Sequence, residues 1–278
     1  MLYRTFLFLP GVSERTEFFL WQEGVTHWWK LLEAESLPGI SPGRLSFWKK
    51  KLSQVIIFKE NLASLAEILP KRHHWRLYQK FKNRALFLDI ETDGLKKGLN
   101  QVTVLGLFDG EEYKAFIAGE NLEEGLQILA DAELVVTFGG SFFDFPFLRN
   151  HYPWLPMPKV HLDLCPLLKR LGFKGGLKRI EKVFGLARPS EIDGLDGFEA
   201  VRLWRKWQHQ KDVKALEKLI LYNREDVINL LYLAEITYQG LKHLVLTRHV
   251  PALTVSSEGV IRRPYELTEI RLKKMSNR

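Results

Sequence analysis

The sequence has little cysteine, with a single residue, Cys165, in 278 positions. A disulfide within the chain needs two cysteines, and the usual cysteine-based zinc sites need at least as many. Both kinds of cross-link are therefore excluded within this chain. Chains without disulfides are typical of reducing compartments, so we expect a cytoplasmic location.

Long apolar runs are also missing. No stretch reaches the roughly 20 consecutive apolar residues that a membrane-spanning helix needs. The apolar run at the start of the chain ends at Pro10, which makes it too short for a secretory signal. We therefore expect no membrane partner.

The charge of the chain is shifted towards basic residues. Lys and Arg number 41 against 33 Asp and Glu, which gives a net charge of +8. Such an excess permits a polyanionic partner such as nucleic acid, but does not establish one. Apolar residues make up 46% of the chain, enough for a buried core, and the length fits one large domain or two unequal ones.

The sequence changes character near residue 80. Residues 1–80 contain five of the eight tryptophans. They also hold helical patterns and turn signals at Pro10-Gly11, Pro38-Gly39 and Pro42-Gly43, which indicate a small all-helical domain. Its helices are predicted over 13–22, with Ser13 as N-cap, 26–35 and 61–69. We predict a second domain over 81–244 and a C-terminal extension over 245–278, which lacks clear periodicity. The basic residues near its end are Arg271, Lys273, Lys274 and Arg278.

The second domain is predicted to be α/β. Short β-rich runs alternate with helical patterns, and Asp109-Gly110 is a strong hairpin signal. The predicted strands cover 85–90, 101–108, 112–117, 134–138 and 160–164. The predicted helices cover 121–130, with Asn121 as N-cap, and then 145–150, 166–171, 176–184, 197–208 and 212–240. This order indicates a mixed five-stranded sheet flanked by helices.

Two acids lie at the end of the first predicted strand, in the segment 87–91 (Phe-Leu-Asp-Ile-Glu). Strand residues alternate sides, so Asp89 and Glu91 share one face. Two buried acids on one face are costly unless a positive charge holds them, and carboxylate oxygens are the ligands that Mg²⁺ and Mn²⁺ prefer. The alternative is an ordinary exposed strand end.

A second motif follows the fourth predicted strand. The strand runs into Gly139-Gly140, where glycine lets the backbone turn sharply or approach a ligand closely. Asp144 then opens a short helix packed by phenylalanines. The alternative interpretation is that Asp144 is only the N-cap of that helix.

A third motif lies in the last predicted helix. Tyr222 and Asp226 are four residues apart, so their side chains project from the same helix face. This spacing is common by chance. The indication comes from the order of the three motifs, which are placed on a strand, a strand-to-helix turn and a late helix.

In that combination the sequence resembles the DEDDy class of 3′–5′ exonucleases in the RNase H-like (DnaQ-like) superfamily, and in particular its YprB-type branch. The resemblance spans about residues 85–240. Asp89 and Glu91 match the first motif of the family, Asp144 the second, and Asp226 with Tyr222 the third. One departure is Gly139, where related sequences usually have Asn, and this substitution bears on rate or substrate preference.

The resemblance implies an RNase H-like fold, a site of four metal-binding acids and phosphodiester hydrolysis at nucleic-acid 3′ ends. Four carboxylates can hold two Mg²⁺ or Mn²⁺ ions about 3.5–4 Å apart. It also implies that Tyr222 orients the attacking water. Because an unperturbed tyrosine pKa lies near 10, this side chain is expected to be neutral and not a general base.

Further contacts to nucleic acid are predicted beside these motifs, at Thr92, Gly140, Phe143 and Lys178. Lys178 follows Gly175-Gly176 at a helix start, where amides and cations favour phosphate. A plain helix start is the alternative. Asp163 either supports the site or caps the next helix.

The predicted helical domain offers two more candidates for nucleic-acid binding. The segment 9–13 (Leu-Pro-Gly-Val-Ser) looks like a degenerate helix-hairpin-helix turn, whose amides bind phosphate, and a similar turn lies at 37–41. The basic segment 71–84, with Trp75 and Tyr78, could stack on a single strand. A structural helical hairpin and a solvated helix are the respective alternatives.

Taken together, the sequence predicts a nuclease acting on single-stranded or frayed 3′ ends, with DNA favoured over RNA and protein partners unknown. The same carboxylate cluster would also serve a structure-specific endonuclease. A nucleic-acid-binding module with feeble nuclease activity is the third possibility.

Overall fold

A computed structural model describes residues 1–96 and 98–248, and the chain forms two compact units, Met1–Lys82 and a second that begins at Asn83. In this described part, no helix combines the length and the apolar composition needed to cross a membrane. Most of the predicted extension 245–278, including its basic end, lies outside the described residues.

The first unit is helical. Its helices are α1 (Glu14–Gln22), α2 (Trp28–Glu33), α3 (Pro42–Ile57), α4 (Leu62–Ile68) and α5 (Tyr78–Phe81), with 3-10 helices at Leu2–Arg4, Lys71–Leu77 and Lys82–Arg84. The predicted N-cap is confirmed, because the Ser13 side chain accepts a hydrogen bond from the Thr16 amide.

Helix α3, the longest in this unit, begins at Pro42-Gly43, where the sequence predicted only a turn. The prediction was wrong because Pro42 stands at the first position of the helix, where its missing N–H costs nothing. Ser41 caps the helix by accepting a hydrogen bond from the Arg44 amide.

The two Pro-Gly turns of the first unit have the same backbone form. In the first, the Val12 amide donates to the Leu9 carbonyl at 3.1 Å. In the second, the amide of residue 40 donates to the carbonyl of residue 37 at the same distance. Gly11 and Gly39 have φ of +72° and +69°, which favours glycine at both turns. Each turn leads into a serine-capped helix, while phosphate binding there stays a prediction.

The basic segment 71–84 is not a solvated helix, so that interpretation was wrong. Trp75 and Tyr78 are 2% and 1% exposed, which also contradicts their use as stacking platforms. Beside them the buried Arg76 guanidinium donates at 2.8 Å to the buried Glu17 carboxylate, 59 residues earlier. These aromatic side chains belong to the core.

The second unit contains the predicted five-stranded mixed sheet. The strands are β1 (Ala85–Thr92), β2 (Val102–Phe108), β3 (Tyr113–Ile117), β4 (Leu134–Thr137) and β5 (Val160–Asp163). They lie in the order β3-β2-β1-β4-β5. β1 pairs antiparallel with β2 and parallel with β4, so it occupies the centre of the sheet. This arrangement confirms the RNase H-like fold class.

The helices of this unit agree with the predicted ones to within a few residues, except at the C-terminal end. They are α6 (Leu122–Asp131), α7 (Asp144–His151), α8 (Leu164–Arg170), α9 (Leu177–Val183), α10 (Gly197–Gln210) and α11 (Val213–Thr247). α11 is 35 residues long and crosses the predicted boundary at residue 244. Asn121 occupies the N-cap position of α6 as predicted, but its side chain does not cap the helix. Its Oδ1 accepts a hydrogen bond from the Ile117 amide instead.

Helices cover both faces of the sheet. One apolar cluster joins Leu88 and Ile90 of β1 to residues of α6 and α7. Another joins Val104 of β2 to residues of α10 and α11, including Tyr222. Because strand residues alternate sides, Asp89 and Glu91 lie on the face opposite Leu88 and Ile90, which is the face that α11 covers.

Candidate active site

Three carboxylates meet between β1 and α11. One oxygen from each of Asp89, Glu91 and Asp226 lies within 4.8 Å of the others. The strand alternation predicted for Asp89 and Glu91 is confirmed, and α11 brings in the third acid from far along the chain. Carboxylate oxygens at this spacing form a donor set for a hard divalent cation.

Asn223 fixes the first of these acids and was not predicted. Its Nδ2 donates to the Asp89 carboxylate at 3.0 Å and to the Asp89 carbonyl at 3.3 Å, while Tyr113 donates its hydroxyl to Asn223 Oδ1 at 2.8 Å. Asn223 fits against β2 only because Gly106 has no side chain, since a Cβ there would lie 1.8 Å from Oδ1. A glycine inside a buried strand was the available signal, because it marks a close approach.

Asp144 faces the same strand. Its Oδ1 accepts a hydrogen bond of 3.2 Å from the Ile90 amide, which lies between the two acids of β1. The alternative that Asp144 caps its helix is wrong, because Phe143 occupies the N-cap position and Asp144 is the first residue of α7. Its carboxylate is therefore directed to the sheet rather than to its own helix.

Asp163 organises the turn before Asp144. It caps α8 by accepting a hydrogen bond from the Cys165 amide at 3.1 Å, which confirms the capping interpretation. The same carboxylate accepts from the Gly139 amide at 2.7 Å and from the Ser141 amide at 3.0 Å. Gly139 has φ of +82°, a conformation that favours glycine. Asp163 thus holds the turn from which α7 starts.

The Lys178 ammonium group lies against Tyr222. Its Nζ donates to the Tyr222 hydroxyl at 2.7 Å, lies 4.5 Å from the centre of the ring, and also donates to the Leu195 carbonyl. Burial lowers the pKa of Lys178. These contacts place the ammonium group inside the site and orient the tyrosine hydroxyl.

The remaining predicted nucleic-acid contacts are less accessible. Thr92 is buried and donates its hydroxyl to the Gly94 carbonyl at 2.7 Å. Gly140 is buried, and Phe143 is half-buried against the apolar cluster that contains residues of α6 and α7. Contacts of these residues with nucleic acid stay a prediction.

Arg188, in the segment between α9 and α10, was also missed. Its guanidinium pairs with Glu181 of α9 and with Asp226. Nothing in the local sequence indicates this pairing, because an arginine in an irregular segment is usually exposed. The structure therefore adds a cation directly to one of the clustered acids.

Burial and mutual repulsion act on the acids together. Burial first, and then the neighbouring Asp226, raise the pKa values of Asp89 and Glu91 well above their usual range. Burial also raises the pKa of Asp144 to about 7. For Tyr222, burial and then Asp226 raise the pKa further above its usual value, so the hydroxyl stays protonated at neutral pH, as expected.

The donor set fits a divalent cation. Glu91 Oε1 is buried and has no hydrogen-bond partner among the described residues. A buried carboxylate oxygen without a partner is costly, and a cation beside Asp89 and Asp226 would remove that cost. The residues present therefore suit Mg²⁺ or Mn²⁺, which take oxygen ligands.

We expect the stability of the metal-free protein to fall as the pH rises from about 4 to about 7. The raised pKa of Asp144, about 7, means that the folded state keeps a proton that the unfolded chain, with an aspartate pKa near 4, releases. The melting temperature in chelator should be several degrees higher at pH 5 than at pH 8. Asp144→Asn should flatten this dependence, and a higher melting temperature at pH 8 would contradict the expectation.

Residues 86–238 match a family model described as the RNase_H superfamily, which covers more than half of the chain. Among solved structures, NrnC of Brucella melitensis is similar, with a TM-score of 0.43 and 18% sequence identity. The similar region covers 62% of this chain and 80% of that one. No curated protein sequence matches the chain.

Proposed function

Because this chain belongs to the RNase_H superfamily, we propose that it is a metal-dependent nuclease that removes nucleotides from nucleic-acid 3′ ends. The observation that carries the proposal is the convergence of the Asp89, Glu91 and Asp226 oxygens within 4.8 Å. One oxygen of this cluster, Glu91 Oε1, is buried and has no hydrogen-bond partner in the described part of the chain. Superfamily membership alone does not determine a reaction, so the site has to supply the argument.

The proposed metal ligands are the carboxylates of Asp89, Glu91 and Asp226, whose oxygens converge, and that of Asp144, which contacts the same strand through the Ile90 amide. Four carboxylates can hold two ions. Bound Mg²⁺ or Mn²⁺ supplies activation of a water molecule and stabilisation of the leaving 3′ oxygen. Asn223 keeps Asp89 in place through its hydrogen bond of 3.0 Å. The Ile90 amide does the same for Asp144.

Tyr222 has the role of orienting the attacking water. Its hydroxyl accepts a hydrogen bond from Lys178 and, because its pKa is raised by burial and by Asp226, it keeps its own proton to donate. Lys178 is therefore proposed to position the tyrosine in addition to, or in place of, the predicted phosphate contact.

The proposed substrate is a single-stranded or frayed 3′ end. The site alone does not distinguish DNA from RNA, because recognition of RNA depends on contacts to the 2′-hydroxyl. The net charge of +8 favours polyanions of either kind. DNA is proposed as the preferred substrate, and RNA is an arm of the test.

The test uses 5′-labelled single- and double-stranded DNA and RNA, each with Mn²⁺ or with chelator. We expect the labelled strand to become shorter from its 3′ end in the presence of Mn²⁺, with release of mononucleotides. A terminal 3′ phosphorothioate linkage should slow the first step. Internal fragments would favour the endonuclease alternative, and a retarded band without cleavage would favour a binding module.

A further inference from the structure

The guanidinium of Arg188 is shared between two carboxylates. Its Nε donates to Glu181 at 2.8 Å and its Nη2 at 2.7 Å, so the contact with Glu181 is a bidentate one. The same Nη2 donates to Asp226 Oδ1. The side chains of Arg188, Glu181 and Asp226 are only 5%, 2% and 10% exposed, so water screens these charges little.

Arg188 has a binding place that does not depend on Asp226. Glu181 is itself fixed by the side chain of Asn229 on α11, whose Nδ2 donates to Glu181 Oε1 at 2.9 Å. The bidentate contact therefore stays in place when the single contact with Asp226 is lost. Nη1 of Arg188 is buried without a hydrogen-bond partner among the described residues, so the guanidinium is not saturated in its present arrangement.

The Asp226 carboxylate can thus pair with Arg188 or with a divalent cation bound at the cluster. Its Oδ1 contacts Arg188, and one of its oxygens belongs to the cluster with Asp89 and Glu91. Without a metal, an unpaired Asp226 would be a buried charge beside two further acids, which is strongly unfavourable. Arg188 removes that penalty, but its positive charge also opposes a cation at the same carboxylate.

We propose that Arg188 is a resident counter-cation that competes with the divalent metal for Asp226 and so sets the metal affinity of the site. The inference rests on the proposed metal site, and it concerns metal binding rather than cleavage. Glu181 determines how strongly Arg188 competes with the metal, because the Glu181 carboxylate draws the guanidinium away from Asp226.

Two substitutions should change the metal affinity in opposite directions. Arg188→Gln removes the competitor and should bind Mn²⁺ about tenfold more tightly, the order of effect that one neighbouring unit charge has on a divalent ion in a water-like dielectric. Glu181→Gln leaves Asp226 as the one carboxylate that contacts Arg188 among the described residues, so it should bind Mn²⁺ more weakly by a similar factor. If Arg188 and Glu181 had only a structural role, both variants would bind Mn²⁺ more weakly.

The experiment is calorimetric titration of the full chain with Mn²⁺ after removal of chelator, together with melting temperatures in chelator. Arg202→Gln is the matched control, since Arg202 is an exposed arginine that pairs with Glu199 on α10. It carries the same charge change and should leave the Mn²⁺ affinity unchanged. Arg188→Gln should also lower the melting temperature of the metal-free protein.

Unchanged or weaker Mn²⁺ binding by Arg188→Gln would overturn the inference, and so would tighter binding by Glu181→Gln. If Arg188→Gln does not fold, the direction of the Glu181→Gln change decides. The cleavage assay separates this result from the proposed function. If Arg188→Gln binds Mn²⁺ more tightly and the wild type cleaves no substrate, the inference is supported and the nuclease proposal is wrong. If the wild type cleaves and the Mn²⁺ affinities of the variants are unchanged, the nuclease proposal is supported and the inference is wrong.

Discussion

Replacing Asp226 by Asn is expected to reduce Mn²⁺-dependent nucleotide release by at least about a thousandfold, equivalent to about 4 kcal/mol of transition-state stabilisation. Asp226 contributes a carboxylate to the cluster with Asp89 and Glu91. The amide keeps the shape of the side chain but removes the charge that a divalent ion requires. Initial rates on labelled single-stranded DNA at saturating Mn²⁺ measure the loss.

Asp131→Asn is the matched control for this prediction. Asp131 is exposed at the end of α6, so the same charge change occurs away from the cluster. The control should retain its full rate. The melting temperature of Asp226→Asn should not fall in chelator, because one of several mutually repelling buried acids has been neutralised. An Asp226→Asn protein with an undiminished rate would remove Asp226 from the proposed site.

Replacing Arg76 by Met is expected to destabilise the first unit by about 3–5 kcal/mol, the usual cost of leaving a buried charge without its partner. Glu17 and Arg76 are each 1% exposed. Glu17 also accepts hydrogen bonds from the Thr5 hydroxyl and the Phe6 amide, both at 2.8 Å, so its carboxylate has no route to solvent when Arg76 is gone.

Tryptophan fluorescence in urea measures this loss, because five of the eight tryptophans lie in residues 1–80. Lys30→Met is the control. Its ion pair with Glu33 has exposed side chains, 53% and 63%, and such surface pairs contribute little to stability. Adding Glu17→Leu to Arg76→Met should recover part of the stability, since no buried charge then remains unpaired. Equal urea midpoints for Arg76→Met and Lys30→Met would contradict the expectation.

The strands and the acids of the second unit were predictable because each has a local signature. A buried strand shows as a short apolar run rich in strand-forming residues, and the period of two then places Asp89 and Glu91 on one face. Helical periodicity likewise places Tyr222 and Asp226 together. The resemblance to a family combined these separate signals into one predicted fold, and the structure has the five-stranded sheet that this fold implies.

The residues that support the acids were not predictable in this way. Asn223 holds Asp89, 134 residues away, and it can do so only because Gly106 on another strand lacks a side chain. Arg188 reaches Asp226 from an irregular segment 38 residues earlier. Such contacts depend on three-dimensional packing, which local sequence patterns do not indicate.

The errors in the first unit have a similar physical origin. Pro42 was interpreted as a turn residue, although the first position of a helix accepts proline equally well. The segment 71–84 was interpreted as solvated because it is basic, yet Arg76 is buried by a partner 59 residues away. Local composition indicates only the average exposure of a segment. A long-range ion pair can bury a charged residue that this average would place in solvent.

The distribution of the four acids along the chain has a consequence for protein synthesis. Asp89, Glu91 and Asp144 leave the ribosome well before Asp226, which lies on α11, the last helix that the structure describes. A nascent chain can complete its five strands and still lack one carboxylate of the cluster. Hydrolytic capacity would then arise only when α11 docks on the sheet, after every strand of the fold has been made.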